Sequence, residues 1–349
     1  MNAVCNNFVL RNKFISATIK WKEQYAFVKG MECNMKMGQW LAGAAVVGAA
    51  GEYAIASYFF HRTMIRANAK RDRTQKMAGT DWDLYIPAIR AAKEWLAEQP
   101  QEDTWVTSED GLKLFGKFFP CGDSRKTVIC FHGYTSEGLN DYSTLAKFYL
   151  ANGFNLMIVD QRAHGKSEGT YIGFGCLDRR DARIWIDYVL TRVGEDSEIL
   201  LHGDSMGAAT VLMTTGLSLP VQVKAAVSDC AFTSAWDVFS AVLKNMYHLP
   251  PFPIMQIANR MVKKRAGYEL DECNAKREVE KAGIPILFIH GEKDSFVPCS
   301  MVYELYERCQ SEKKLVIVEG AGHVESCYKN PENYEEAIRS FIFPKFHEA

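Results

Sequence analysis

From about residue 104 onward, short unbroken apolar runs alternate with stretches of helical period. The runs are KTVICFHG (126–133), FNLMIVDQRAHG (154–165), EILLHGDSMG (198–207), KAAVSDCAF (224–232), IPILFIHGEKD (284–294) and KLVIVEGAGH (314–323). They are continuously apolar rather than alternating, which is the pattern of strands buried on both faces of a parallel sheet. Ahead of them, WVTSEDGLKLFGKFF reads as a hairpin turning at Asp110-Gly111. Helical stretches at 140–152, 177–193 and 206–218 fall between the runs. An antiparallel start followed by repeated βα units predicts an α/β domain over 104–349, with a mostly parallel central sheet covered by helices on both faces. In such a sheet, ligands bind beyond the carboxyl ends of the strands.

Three residues suited to one chemistry lie at those ends. In Gly203-Asp204-Ser205-Met206-Gly207 a strand turns directly into a helix, so Ser205 should stand at the head of the sheet with its hydroxyl exposed. A hydroxyl needs a base at neutral pH, and the base needs an acid to orient it. His323 ends the last run and Asp294 follows the one before it, with Asp229 as the rival acid. The backbone N–H groups of Tyr134 and Met206 are the expected donors to an oxyanion.

Four blocks, CFHGYTSEG, DQRAHGKSEG, GDSMGAA and HGEKDSFVP…GAGH, resemble the α/β-hydrolase superfamily. More narrowly they resemble its bacterial serine aminopeptidase-like esterase/lipase branch with an N-terminal hydrophobic segment. The resemblance covers residues 104–347 and implies the α/β-hydrolase fold and a Ser-Asp-His triad in that chain order. Members with the DQR block usually carry Gly where this chain has Ala163, and a tight loop is expected to tolerate the exchange. The insertion at 233–283 is expected to be a small helical cap, from which Trp236, Phe239, Met246, Tyr247, Phe252 and Met255 are candidates for an acyl pocket.

The N-terminal third reads differently. Residues 1–37 form an extension with no assignable pattern. WLAGAAVVGAAGEYAIASYFF (40–60) carries one charge, Glu52, and as a helix would be about 31 Å long, enough to span a hydrocarbon core. A transmembrane helix over 38–61 is therefore expected, anchoring the protein to membrane lipid. A helix at the interface, or a signal peptide cut near Ala54-Ile55-Ala56, are the alternatives. Six Lys/Arg on each flank leave the facing side undetermined. Residues 62–103 should form a juxtamembrane and linker helix, with Trp82, Ile89 and Trp95 as core positions.

Composition narrows the function. With 41 Lys+Arg against 42 Asp+Glu, the chain lacks the basic excess of a nucleic-acid binder. Ten cysteines without C-x-x-C spacing give no zinc signature. His132, His202 and His290 each precede a strand-end glycine and read as turn residues, not metal ligands, and His164 reads as a loop stabiliser. The run Asp178, Arg179, Arg180, Asp181 reads as a solvated helix face. The expected activity is a serine hydrolase cleaving a small-molecule carboxylic ester through an acyl-enzyme at Ser205, with no cofactor and no metal. The alternatives are a peptidase using Glu269, Asp271 and Glu272 to hold a free amino terminus, an acyltransferase, and a non-catalytic binding module on the same scaffold.

Overall fold

A computed structural model describes residues 37–66 and 80–347. The unassigned extension and the basic positions Lys70, Arg71, Arg73 and Lys76 fall outside them. The chain divides into two compact units, Met1–Ala54 and Ile55–Ala349. The described part of the first unit is helical throughout.

The second unit is built on one eight-stranded sheet in the order β1-β2-β4-β3-β5-β6-β7-β8. The hairpin is β1 (Glu102–Thr107) and β2 (Lys113–Phe119), antiparallel, with Gly111 at φ 86 in its turn. Then β3 (Lys126–Phe131), β4 (Asn155–Val159), β5 (Glu198–Asp204), β6 (Val223–Asp229), β7 (Ile286–Gly291) and β8 (Lys313–Val318) run parallel to one another. Each expected apolar run is a strand. Side chains alternate between two cores, as the pleat requires. Ile129 and Phe131 of β3 join the core on one face, and Val128 and Cys130 the core on the other.

Helix α1 (Met37–Thr63) precedes the sheet, followed by a 3₁₀ turn at Trp82–Leu84 and α2 (Ile86–Ala97). Thus within the expected linker, 62–103, the described α-helix after Thr63 begins only at Ile86. Pro87 in its first turn costs nothing there, because the first N–H groups of a helix have no intrahelical partner. Leu96 of α2, Tyr142 and Tyr149 of α3 (Gly138–Ala151) and Tyr334 and Ile338 of α11 (Pro331–Phe341) fill one core. Trp185 and Ile186 of α4 (Asp178–Val193) and the wholly buried α5 (Met206–Thr215) fill the other. Between β6 and β7 come α6 (Ala235–Asn245), α7 (Ile254–Ala266) and the short α8 (Ala275–Val279); α9 (Ser300–Arg308) and α10 (Ser326–Lys329) complete the set.

One finding bears on the expected membrane helix, and one expectation needs correction. Among the described residues no helix is long and apolar enough to cross a membrane. Helix α1 forms, but the segment is rich in Ala and Gly, which offer little apolar surface per residue. Beyond Ala54, Ala56, Phe59 and Phe60 of the helix and Met64 just after it are buried in the core that holds Trp185. The stretch after the helix is tied down by a bridge of Ile65 to Tyr171 and by the Arg66 and Ile172 amides donating to Thr170 and Met64. Nor is the Asp178–Asp181 run a solvated face. Asp178 and Asp181 are buried one turn apart, Asp178 accepting from the Gly175 amide (2.8 Å) and Asp181 from Arg162 (2.6 Å). The DQR block thus enters the interior as an ion pair, the only form in which such charges are tolerated there.

Phe60 is 1% exposed under the Arg265 guanidinium. Truncating it should cost about 3–5 kcal/mol, as for other buried aromatics. Urea unfolding of Phe60→Ala should show that loss; a change below about 1 kcal/mol would mean that residues 55–63 do not belong to the core.

Candidate active site

Ser205 sits between β5 and α5 with φ 53 and ψ −110, a conformation costly for any residue with a Cβ. It is held there from both sides. Its amide donates to the Asp229 carbonyl on β6 (2.8 Å), and its neighbours two residues away have no room for side chains. A Cβ on Gly203 would lie 2.2 Å from the Gly207 carbonyl oxygen, and one on Gly207 would lie 1.8 Å from that of Phe131. The pair of glycines therefore lets α5 press against β3 and β5 while the turn projects Ser205 forward.

Ser205 Oγ is 2.8 Å from His323 Nε2, and His323 Nδ1 is 2.7 Å from Asp294 Oδ2. The second carboxylate oxygen of Asp294 accepts from the Phe296 and Val297 amides at 2.9 and 2.8 Å. Burial opposes charge on Asp294, but the attraction of His323 and hydrogen bonds from His290 and His323 outweigh it and hold the carboxyl well below its usual range. An ionised carboxylate can only accept, so the imidazole proton lies on Nδ1 and Nε2 is left to accept from the Ser205 hydroxyl. The three residues singled out in the sequence are thus brought into one hydrogen-bonded chain.

The rival acid does not reach the imidazole ring by a hydrogen bond. Asp229 is buried one strand away, accepting from Ser326 Oγ at 3.1 Å, and burial pushes its carboxyl up to about 6. Cys230 lies beside it at φ 51, its Sγ within 4.8 Å of ligand atoms of Asp294 and His323. Burial drives that thiol well above its ordinary value, so the sulfur stays protonated.

Met206 opens α5, and Tyr134 follows the end of β3. Among the described residues neither backbone N–H has a protein acceptor. The Tyr134 loop is braced on each side. Gly133 N–H and Ser136 Oγ donate to Asp141, both at 2.8 Å, and the Thr135 amide donates to His164 Nε2 at 3.3 Å. Gln161 Nε2 donates to the His132 carbonyl (2.6 Å), and its Oε1 accepts from Thr210 Oγ1 (2.8 Å). Asp141 and Gln161 carry this bracing; Gln161 belongs to the DQR block, whereas Asp141 has no sequence signature of its own. Within the same loop region Ala163 has φ 59, which explains why glycine suits that position.

The strand-end histidines go to separate partners. His132 Nε2 accepts from the Gln161 amide (2.9 Å), His202 bridges the hydroxyls of Tyr149 (2.7 Å) and Tyr334 (3.0 Å), and His290 Nε2 donates to the Val297 carbonyl (3.0 Å). Burial lowers His202 and His164 to about 3, leaving both neutral. His164 Nδ1 and the Arg162 carbonyl are 2.9 Å apart, in keeping with a loop-holding role.

A cavity of about 50 Å³ opens beside Ser205 and His323, lined by Trp82, Tyr134, Thr135, Phe296 and Val324 among others. None of the six cap candidates lines it. Met255 is buried in the core, Trp236 and Phe239 pack against that core, Tyr247 meets Phe59 edge-on at 4.8 Å, and Met246 and Phe252 are exposed, Phe252 at 72%. The cap helices spend their apolar faces on docking; Phe239, for example, meets Phe174 edge-on at 4.8 Å. Trp82, taken from the sequence as a core position, is the aromatic residue that reaches the site from outside the hydrolase segment.

Comparison with known proteins agrees with this architecture. A family model described as "Serine aminopeptidase, S33" matches residues 122–267, a range that includes Tyr134 and Ser205 and ends before Asp294. The uncharacterized protein YqkD of Bacillus subtilis is 30% identical over 246 residues, covering 70% of this chain and 80% of its own. YfhR of Escherichia coli K12 is 26% identical over 270 residues, covering 74% and 86%. Among solved structures, the Pyrococcus furiosus esterase Pf2001 has a TM-score of 0.58 at 25% identity, over 71% of this chain and 92% of that one. Acetyl xylan esterase 1 of a Thermoanaerobacterium species shares the fold at 18% identity and a TM-score of 0.55, over 78% and 96%.

Two stability measurements probe this geometry. Gly207→Ala should destabilise by about 3 kcal/mol or more, because a backbone carbonyl cannot yield to the new methyl group; a thermal unfolding midpoint close to that of the parent would contradict the packing. Asp229 has a folded pKa above its unfolded value, so its carboxyl is a penalty that grows as pH rises from about 4 to 6 and is complete above 6. Asp229→Asn keeps an acceptor for Ser326 and should therefore raise stability at pH 7–8, by no more than about 3 kcal/mol, with the gain vanishing below about pH 4. Urea midpoints across that range check the sign.

Proposed function

The chain belongs to the serine aminopeptidase-like (S33) family and has the α/β-hydrolase fold, and from that membership we propose that it hydrolyses a small carboxylic ester through an acyl-enzyme at Ser205. The observation that carries this reading is the unbroken hydrogen-bonded chain from Ser205 Oγ through His323 to an ionised Asp294.

In the first half-reaction Ser205 Oγ attacks the ester carbonyl while His323 Nε2 takes the hydroxyl proton. The tetrahedral oxyanion is met by the N–H groups of Met206 and Tyr134, donors held in place before the reaction and therefore requiring no reorganisation. The imidazolium, stabilised by Asp294, gives its proton to the departing alkoxide, and the alcohol leaves. Water then attacks the acyl-serine by the same route in reverse, releasing the acid and restoring Ser205.

Two features favour an ester over a peptide. The acidic residues that would hold a free amino terminus are engaged elsewhere: Glu269 pairs with Lys263, Asp271 with Arg277 at 3.2 Å, and Glu272 accepts from the Glu269 amide at 3.1 Å. None of the three lines the cavity. The likeness to an archaeal esterase at 25% identity points the same way.

Ser205→Ala should lower kcat for methyl butyrate by at least about 10⁴-fold and abolish labelling by a fluorophosphonate. Asp294→Asn should lower kcat by about 10⁴-fold through loss of the correct imidazole tautomer, whereas Asp229→Asn should retain most of it. Turnover that survives Ser205→Ala, or that fails with Asp229→Asn and not with Asp294→Asn, would overturn the assignment.

A further inference from the structure

The wall of the cavity nearest His323 is not made by the α/β core alone. Residues 80–85, which precede the first strand by some twenty positions, run across the active-site end of the sheet and are tied to the loop that carries His323. The Thr80 hydroxyl, itself buried, donates to the His323 carbonyl at 2.9 Å. The Tyr85 hydroxyl donates to Glu325 Oε1 at 2.6 Å, and the other oxygen of that carboxylate accepts from the Gly322 amide at 2.7 Å. Between these ties Trp82 turns inward, 8% exposed, its ring edge-on to Tyr328 at 5.6 Å. It lines the cavity together with Phe296, whose ring centroid is 5.0 Å from that of His323, and Val324.

Which part of a substrate meets this wall follows from proton bookkeeping. His323 Nε2 must return its proton to the leaving oxygen, so that oxygen and the group attached to it lie on the imidazole side of the scissile carbon. Side chains gathered around the imidazole therefore face the departing alcohol, not the acyl chain. A volume of about 50 Å³ takes a few non-hydrogen atoms, since a single water needs roughly 10–15 Å³ by the same kind of measure. Trp82 is the largest side chain in that wall and the one on a short, separate segment.

We propose that residues 80–85 form a strap that builds the leaving-group subsite, and that Trp82 limits the departing group to a small apolar alcohol. This inference rests on the serine-esterase reading above and names the side of the substrate it selects. Trp82 acts here on specificity; the bond-making steps stay with Ser205 and His323.

The test uses the full chain and two ester series. One holds the acyl group as butyrate and varies the alcohol through methyl, butyl and hexyl; the other holds the alcohol as methyl and varies the acyl chain. In Trp82→Ala the preference for methyl over hexyl butyrate, taken as a ratio of kcat/KM values, should fall at least tenfold, while the acyl-length preference moves less than twofold. Trp82→Phe should fall between, and it carries the comparison if the alanine variant does not fold. An unaltered alcohol ratio, or an equal change in the acyl series, would overturn the subsite assignment. Fluorophosphonate labelling separates the two readings. Wild-type protein labelled at Ser205 but with alcohol selectivity insensitive to Trp82 refutes only the strap, whereas no labelling and no ester turnover refutes the esterase and the strap with it.

Discussion

The close approach of helix α5 to the strands beneath it is the constraint on which the site depends. Gly207 packs against the Phe131 carbonyl and Gly203 against the start of the helix, at distances that exclude any Cβ. That contact leaves the chain one residue in which to reverse direction, and Ser205 takes the strain at φ 53. The hydroxyl is then presented at the end of the sheet, and the Met206 amide, first in the helix, is left without an intrahelical acceptor. The projected hydroxyl and the helix-initial amide are consequences of one packing arrangement.

Two buried carboxylates on neighbouring strand ends show how surroundings divide roles. Asp294 receives two backbone amides and faces two histidines, which overcome burial and keep it charged. For Asp229 burial prevails over the attraction of the same two histidines and the side-chain bonds from Ser326 and Tyr334, and raises it to about 6. The ionised one holds the His323 proton on Nδ1. The other offers a backbone carbonyl to the Ser205 amide and so supports the strained turn instead.

Segments outside the βα repeat complete the unit. The end of α1 supplies Phe59 and Phe60 to the core on one side, and the strap at 80–85 closes the cavity on the other. Buried ion pairing between Arg162 and Asp181 fixes the DQR loop, whose Gln161 and His164 brace the residues around Tyr134. The Tyr134 loop is thus positioned by side chains from the DQR loop and helix α3.

Much of this was legible in the sequence because it rests on local patterns. Unbroken apolar runs specify strands covered on both faces, and every one of them pairs in the sheet. A glycine on either side of a serine between a strand and a helix specifies the turn, and chain order at successive strand ends brings Asp294 and His323 to it. Distances across the chain decided the rest. That Asp294 and not Asp229 meets the imidazole, that Asp178 and Asp181 face inward, and that Trp82 leaves its own segment's periodicity to line a cavity are outcomes of contacts between residues tens to hundreds of positions apart. The same holds for the end of α1, whose last apolar residues are buried by partners on strands and helices far along the chain. Periodicity determines which side chains seek burial, and only the folded packing determines what buries them.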